Sequence, residues 1–179
     1  MEKIEKVVAC LKELGITLDI SDKEKRMIIQ KTVCLLQLGG LRIGYPFSIY
    51  INGPYSPELT QDYYEENKTH NNSANKIKLS EEETTILKKF SDIFDIKKTS
   101  LLEISSTYGH YMRNRNYSPV EAMKATREIK SQYSSGQLAV GISKANQFLY
   151  SPTPDDLQLL KEETAHWQEI GFLSLESAE

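Results

Sequence analysis

The sequence predicts a mostly α protein: a winged-helix-like helical core, one short β-hairpin and a C-terminal helical extension. Three observations predict it. Apolar residues recur at helical spacing along most of the chain, helix-start signatures recur at Ser21, Ser56, Ser80 and Ser118, and the apolar period drops to two only once, between Pro46 and Asn52.

The elements follow in order. Ile4, Val7, Val8, Leu11 and Leu14 form the apolar stripe of a helix over 2–14 that Gly15 closes. Ser21-Asp22-Lys23-Glu24 reads as a capping box, in which the Ser21 hydroxyl and the Glu24 carboxylate satisfy amides at the helix start. The helix it opens runs to Leu38 and stops at Gly39-Gly40. Its apolar residues point in nearly every direction, which makes it a central helix covered on several sides.

Phe47, Ile49 and Ile51 then alternate with Ser48, Tyr50 and Asn52, the spacing of a strand with one wet face. Leu41-Arg42-Ile43 is either its partner strand or its approach. Gly53-Pro54 turns the chain, and Ser56-Pro57-Glu58 restarts a helix that reaches about Asn67, with serine as cap and proline where an amide hydrogen is dispensable. Residues 68–76 are polar and Asn-rich, as in a surface loop. A second capping box, Ser80 to Glu83, opens a helix carrying Ile86, Leu87, Phe90, Ile93 and Phe94 on one face. Helices are also expected over 100–113, from Ser118-Pro119, over 134–149 and over 154–170. The chain thus divides into a core over 1–67, a loop over 68–79, a helical second half over 80–150 packed on the core, and a C-terminal helix and tail over 151–179.

Composition narrows the function classes. Of the 179 residues 39% are hydrophobic and 26% charged, values of an ordinary globular protein that exclude disorder throughout. A formal charge of −3 argues against a chain built mainly to neutralise phosphates. Cys10 and Cys34 sit inside apolar helical patterns and read as buried free thiols in a reducing cytosol. No apolar run is long enough to span a bilayer, and MEKIEK lacks a signal-peptide core, so a cytoplasmic protein is expected.

The residues point to no reaction. His70, His110 and His166 lie far apart, none with a second ligand at metal spacing, and no phosphate-binding glycine loop or nucleophile elbow is present. The acidic pairs fall mostly in first turns of helices or on solvated faces. The expectation is a protein that is not an enzyme, with no catalytic residue, metal or cofactor. Two basic clusters could meet nucleic acid: Lys23, Arg26 and Lys31 along one helix, and Arg113 and Arg115 beside Tyr111 and Tyr117. The helix after the turn, PELTQDYYEENK, has the wrong sign for a recognition helix, so any contact with DNA is expected to be weak.

Gln30-Lys31, Val33 to Gln37, Gly44-Tyr45-Pro46-Phe47, Tyr50 and Gly53-Pro54-Tyr55-Ser56-Pro57-Glu58-Leu59 together resemble the YwgA-like group of prokaryotic proteins, and more distantly the SocA/Panacea antitoxin domain. The stretch from Leu101 to Ser134 resembles the helical second half of YwgA-like chains. The resemblance implies a winged-helix-like core without catalysis that binds another protein, as antitoxins and accessory subunits of phage-defence operons do. Tyr55-Ser56 stands where the SocA pattern has aliphatic residues.

On the residues themselves, Gly53 allows a positive φ or a close backbone approach, and Pro54 with Ser56-Pro57 stiffens the exit. Tyr45, Tyr50 and Tyr55, with Asn52, Gly53, Pro54 and Ser56, then form either a partner-binding face or only a structural turn. The primary expectation is an adaptor or antitoxin-like subunit binding a partner protein encoded nearby. A winged-helix DNA-binding regulator is the alternative. Leu157, Leu160, Trp167, Ile170, Phe172 and Leu173 require the C-terminal helix to dock, on its own domain or on a partner.

Overall fold

A computed structural model describes residues 2–69 and 77–150, and also residues 155, 158, 159, 161 and 162. It shows a mostly helical chain with one two-stranded antiparallel hairpin, in the order α1 (Glu2–Glu13), α2 (Lys23–Leu38), β1 (Ser48–Tyr50), β2 (Gly53–Tyr55), α3 (Pro57–Thr69), α4 (Glu81–Ile93), α5 (Thr99–Asn114), α6 (Pro119–Ile129) and α7 (Ser135–Leu149). Helix, helix, hairpin, helix is the winged-helix-like order. The chain divides into two compact units, Met1–Leu149 and Tyr150–Glu179. In the second, Asp155, Gln158, Leu159, Lys161 and Glu162 are helical. The apolar set expected to dock the C-terminal helix, with Trp167, and also His70, His166 and most of the polar loop, lies outside the described residues.

Local chemistry explains most of the boundaries. Ser80 and Ser118 each accept a hydrogen bond from the third amide of their helix, and Glu83 and Glu121 reach back to the cap amides, completing two capping boxes. The start of α2 differs from expectation. Asp22, not Ser21, is the cap, and its Oδ1 accepts from the Lys25 amide at 2.8 Å. Asp19 and Asp22 draw Lys25 into a surface ion pair, and the Asp19 carboxyl also accepts from the Ser21 amide. Ser21 is therefore part of the approach loop.

The hairpin is also shorter than the alternation predicts. Ser48, Ile49 and Tyr50 pair with Tyr55, Pro54 and Gly53, leaving Ile51 and Asn52 as the turn. Ile51 is consequently 91% exposed, where an alternating strand would have half-buried it. Leu41 to Ile43 is the approach rather than a partner strand, although Leu41, Ile43 and Tyr45 do bury alternately.

Two helices make the centre. Ile29 to Leu36 of α2 are all buried, as the all-round apolar pattern requires. Leu101 to His110 of α5 are equally buried, although half of them are polar. Helices α2, α6 and α7 and strand β2 all pack on α5. Gly141 of α7 lets Ile104 approach so closely that a Cβ there would lie 2.5 Å from its Cγ2, and the Gly141 carbonyl accepts from Ser105 Oγ at 2.7 Å. The largest apolar cluster joins α1, α2, α4 and the C-terminal end of α7, with Phe90, Phe94 and Phe148 in edge and tilted contact.

Candidate partner-binding groove

The sequence's most specific segments, Gln30-Lys31 and Gly53 to Ser56, are hydrogen-bonded to each other. Gln30 donates through Nε2 to the Ser56 carbonyl at 3.0 Å and accepts the Ser56 amide at Oε1 at 2.9 Å, so its side-chain amide pairs with the backbone as a neighbouring strand would. The next residue, Lys31, donates through Nζ to the Pro54 carbonyl at 2.6 Å. One helical heptad on, Gln37 makes the same two-point pair with Tyr45, at 2.9 Å for each bond. These partners are all backbone groups of buried residues, where an unpaired polar group is costly, and the Ser56 carbonyl also accepts from the Thr60 amide at 3.1 Å.

Gly53 completes the latch. Its φ is +83°, and a Cβ placed on it would lie 2.3 Å from Thr107 Oγ1 and 3.6 Å from Lys130 Nζ. Both reasons for glycine therefore apply, the left-handed backbone and the close approach to α5. Beneath it Lys130 is fully buried and its Nζ lies 2.5 Å from Glu103 Oε2. Thr107 donates to the Glu103 carbonyl at 2.7 Å. Burial pushes the Lys31 ammonium down to about 8, with the charge of Lys130 acting in the same direction and Glu103 opposing it. Tyr133, half-buried beside Glu103, is pushed up to about 12 by burial and then by that carboxylate. Two buried lysines thus lie near one buried carboxylate under the hairpin, which Lys130 engages.

Above the latch lies an open groove of about 400 Å³ between the N-terminal half of α2, the hairpin and α3. Tyr50, Tyr55, Tyr63 and Tyr64 form its walls together with Met27. Lys31 lies at the hairpin side, and Lys23 and Arg26 also line it. None of its lining residues is acidic. Tyr50 and Tyr55 meet edge to face at 5.3 Å, and Tyr55 OH lies 2.7 Å from Thr60 Oγ1. Two of the four carboxylates of α3 are engaged outside it: Glu58 pairs with Lys3 of α1, and Asp62 accepts from the Tyr45 hydroxyl at 2.6 Å.

The predicted residues therefore separate. Tyr50, Asn52, Gly53 and Tyr55 line the groove, while Pro54 and Ser56 are buried in the latch beneath it. Tyr45 does not join them. It is 3% exposed, its ring lies under Lys3, and burial and then the Asp62 carboxylate raise its hydroxyl's pKa. Lys31, expected as an exposed cation, is 2% exposed. Its position on the buried face of α2 decides this. Arg113 donates to the Leu149 carbonyl at 2.7 Å, and Arg115 follows at the end of α5, where Tyr111 and Tyr117 stack at 5.2 Å. Sequence reading missed Met27, Thr60, Tyr63 and Tyr64 as lining residues, since only the packing of α3 across α2 brings them to the hairpin. The one signal was the Tyr63-Tyr64 pair, which begins six residues beyond the start of α3 at Pro57.

No protein-family model matches the chain, and no curated protein or solved structure matches it either. Among the described residues no cluster of His, Cys, Asp and Glu could hold a metal ion, and no helix is long and apolar enough to cross a membrane. His110 is buried, with Nδ1 beside Asn114 Nδ2 at 3.1 Å, and burial pushes its pKa down to about 4. It is a neutral core residue at neutral pH.

Proposed function

We propose that this protein is a non-enzymatic, cytoplasmic adaptor or antitoxin-like subunit whose hairpin and tyrosine groove bind a partner protein encoded nearby, as an accessory component of a prokaryotic toxin–antitoxin or phage-defence system. The observation that carries this is the hairpin tip. Ile51 is 91% and Tyr50 51% exposed, on a turn that Gln30, Lys31 and Gly53 hold in one geometry. An exposed aliphatic residue next to an aromatic groove on a pre-organised backbone is the arrangement of an interface anchor, because little conformational entropy is lost on binding. The resemblance of the same turn and the Gln30-Lys31 helix to YwgA-like chains supports the reading. A DNA-binding regulator draws less support, since Lys31 is buried and Arg113 is engaged by a backbone carbonyl.

The test is affinity purification from the native host with the wild-type chain and with Ile51→Asp and Tyr50→Ala. Both positions are exposed, so both variants are expected to melt as the wild type does. A stoichiometric partner is expected with the wild type and is expected to be lost or strongly depleted with either variant. A partner retained undiminished by both would remove the groove from the interface, and the absence of any partner would end the adaptor reading.

A further inference from the structure

We propose that the groove accepts an acidic linear segment of a partner protein, with an aromatic or aliphatic side chain between the tyrosines and flanking carboxylates on Lys23 and Arg26. This rests on the groove being the partner-binding site and adds the chemistry of what enters it.

Charge complementarity carries the argument. Three cations and no carboxylate line the groove, in a protein whose formal charge is −3. The positive character is local and arises from three sources. Lys23 and Arg26 stand in the first turns of α2, where the helix dipole is positive. Lys25, between them, is occupied by Asp19 and Asp22, so those carboxylates are already paired. Beneath the hairpin, Lys31 and Lys130 face the single buried carboxylate of Glu103, which Lys130 engages at 2.5 Å. The surplus positive charge therefore belongs to Lys31, a residue of the groove lining that is itself buried and uses one of its three ammonium hydrogens on the Pro54 carbonyl. Its charge adds to the positive potential at the groove floor, which a carboxylate held on Lys23 or Arg26 would meet. The Arg26 guanidinium donates through one nitrogen to the Ile20 carbonyl, which fixes its plane and leaves the rest of the fork for a carboxylate.

The walls select for more than charge. Met27 and the rings of Tyr55 and Tyr63 offer an adaptable apolar bed for one side chain, with Tyr50 and Ile51 at the rim. An extended segment that places a carboxylate before and after an apolar residue satisfies both features at once.

The experiment is selection of a random peptide display library on the full chain, with Lys23→Glu/Arg26→Gln as the counter-target. Both residues are at the surface end of α2, and circular dichroism with a melting curve verifies that the variant is folded. The expected result is a consensus of Asp and Glu flanking an aromatic or aliphatic residue. Synthetic peptides of that consensus should bind the variant at least about tenfold more weakly, and should weaken on raising salt from about 50 to about 500 mM. A neutral or basic consensus that is lost with Ile51→Asp would overturn the acidic segment while leaving the groove as a protein-binding site. Enrichment of no peptide over the counter-target would overturn the proposal outright, with the native-host purification deciding separately whether a partner binds. In a parallel arm, ATP and a single-stranded oligonucleotide are added in thermal melts. Stabilisation by either, abolished by the double substitution and exceeding that by the peptides, would reassign the groove to a nucleotide ligand.

Discussion

At the scale of single residues, Gly53 carries two constraints that no other side chain meets together. Its φ of +83° is strained for any L-residue, and β-branching makes this worse. Independently, the Thr107 hydroxyl occupies the place of its Cβ. Gly53→Val is expected to destabilise the fold by roughly 2–4 kcal/mol, combining backbone strain with overpacking. Adding Thr107→Ala should recover only the steric part, since the backbone strain remains. Chemical denaturation of the three chains measures this, and an unchanged midpoint for Gly53→Val would show that neither constraint operates. The buried ion pair of Lys130 with Glu103 belongs to the same neighbourhood. Its removal from one side would leave a buried charge uncompensated, whereas the pair itself is weak evidence of stability.

At the scale of elements, α2 shows how a boundary and a function meet. The Asp22 carboxylate caps the helix through the Lys25 amide and so places Lys23 and Arg26 in its first turns, beside the groove. Asp22→Ala is expected to cost about 1 kcal/mol, the usual value of a lost N-cap, while Ser21→Ala should stay within about 0.5 kcal/mol. Equal costs for the two, measured by urea midpoints, would return the cap to Ser21. Helix α5 teaches the complementary lesson. Its pattern, TSLLEISSTYGHYMRN, is half polar, yet ten consecutive residues from Leu101 to His110 are buried. Each of the polar ones that matters to the packing has a partner in another turn or element: Glu103 in Lys130, Ser105 in the Gly141 carbonyl, Thr107 in the Glu103 carbonyl. Periodicity measures hydrophobicity alone, so it marked α2 as central and passed over α5.

At the scale of the whole molecule, charge decides which partners are reached. The chain carries 25 acidic against 22 basic residues, and part of the basic set is inside the protein or engaged by it. Lys31 and Lys130 are buried, Lys25 lies between two aspartates, and Lys3 and Lys6 pair with Glu58 and Glu83. These five are withdrawn from a chain whose formal charge is already −3, which disfavours displacement of counterions from a duplex. Double-stranded DNA is therefore expected to bind more weakly than about 1 μM in about 150 mM salt, without sequence preference. A specific site bound at nanomolar strength under those conditions, in a fluorescence-anisotropy titration, would replace the adaptor reading with the regulator.

What the sequence by itself determined is what depends on neighbours along the chain. The helices at Ser80 and Ser118, the end of α2 at Gly39-Gly40 and the restart at Ser56-Pro57 all rest on bonds spanning a few residues, and all are present, whereas the turn expected at Gly53-Pro54 lies at Ile51-Asn52, with Gly53 and Pro54 paired in β2. Even there, the choice of Asp22 over Ser21 depended on an approach loop whose geometry Asp19 and Lys25 set together. Tertiary structure alone decided which side chains share a space. It sent Tyr45 to Asp62 and into the core, brought Tyr63 and Tyr64 to the hairpin, and put Lys31 under Pro54 rather than in solvent. The reason is that a side chain's surroundings are fixed by contacts between residues distant in sequence, 17 apart for Tyr45 with Asp62 and 30 apart for Gln30 with Thr60. Local spacing carries no record of such separations, whereas a hydrogen-bonded, close-packed interior leaves little choice once the helices have met.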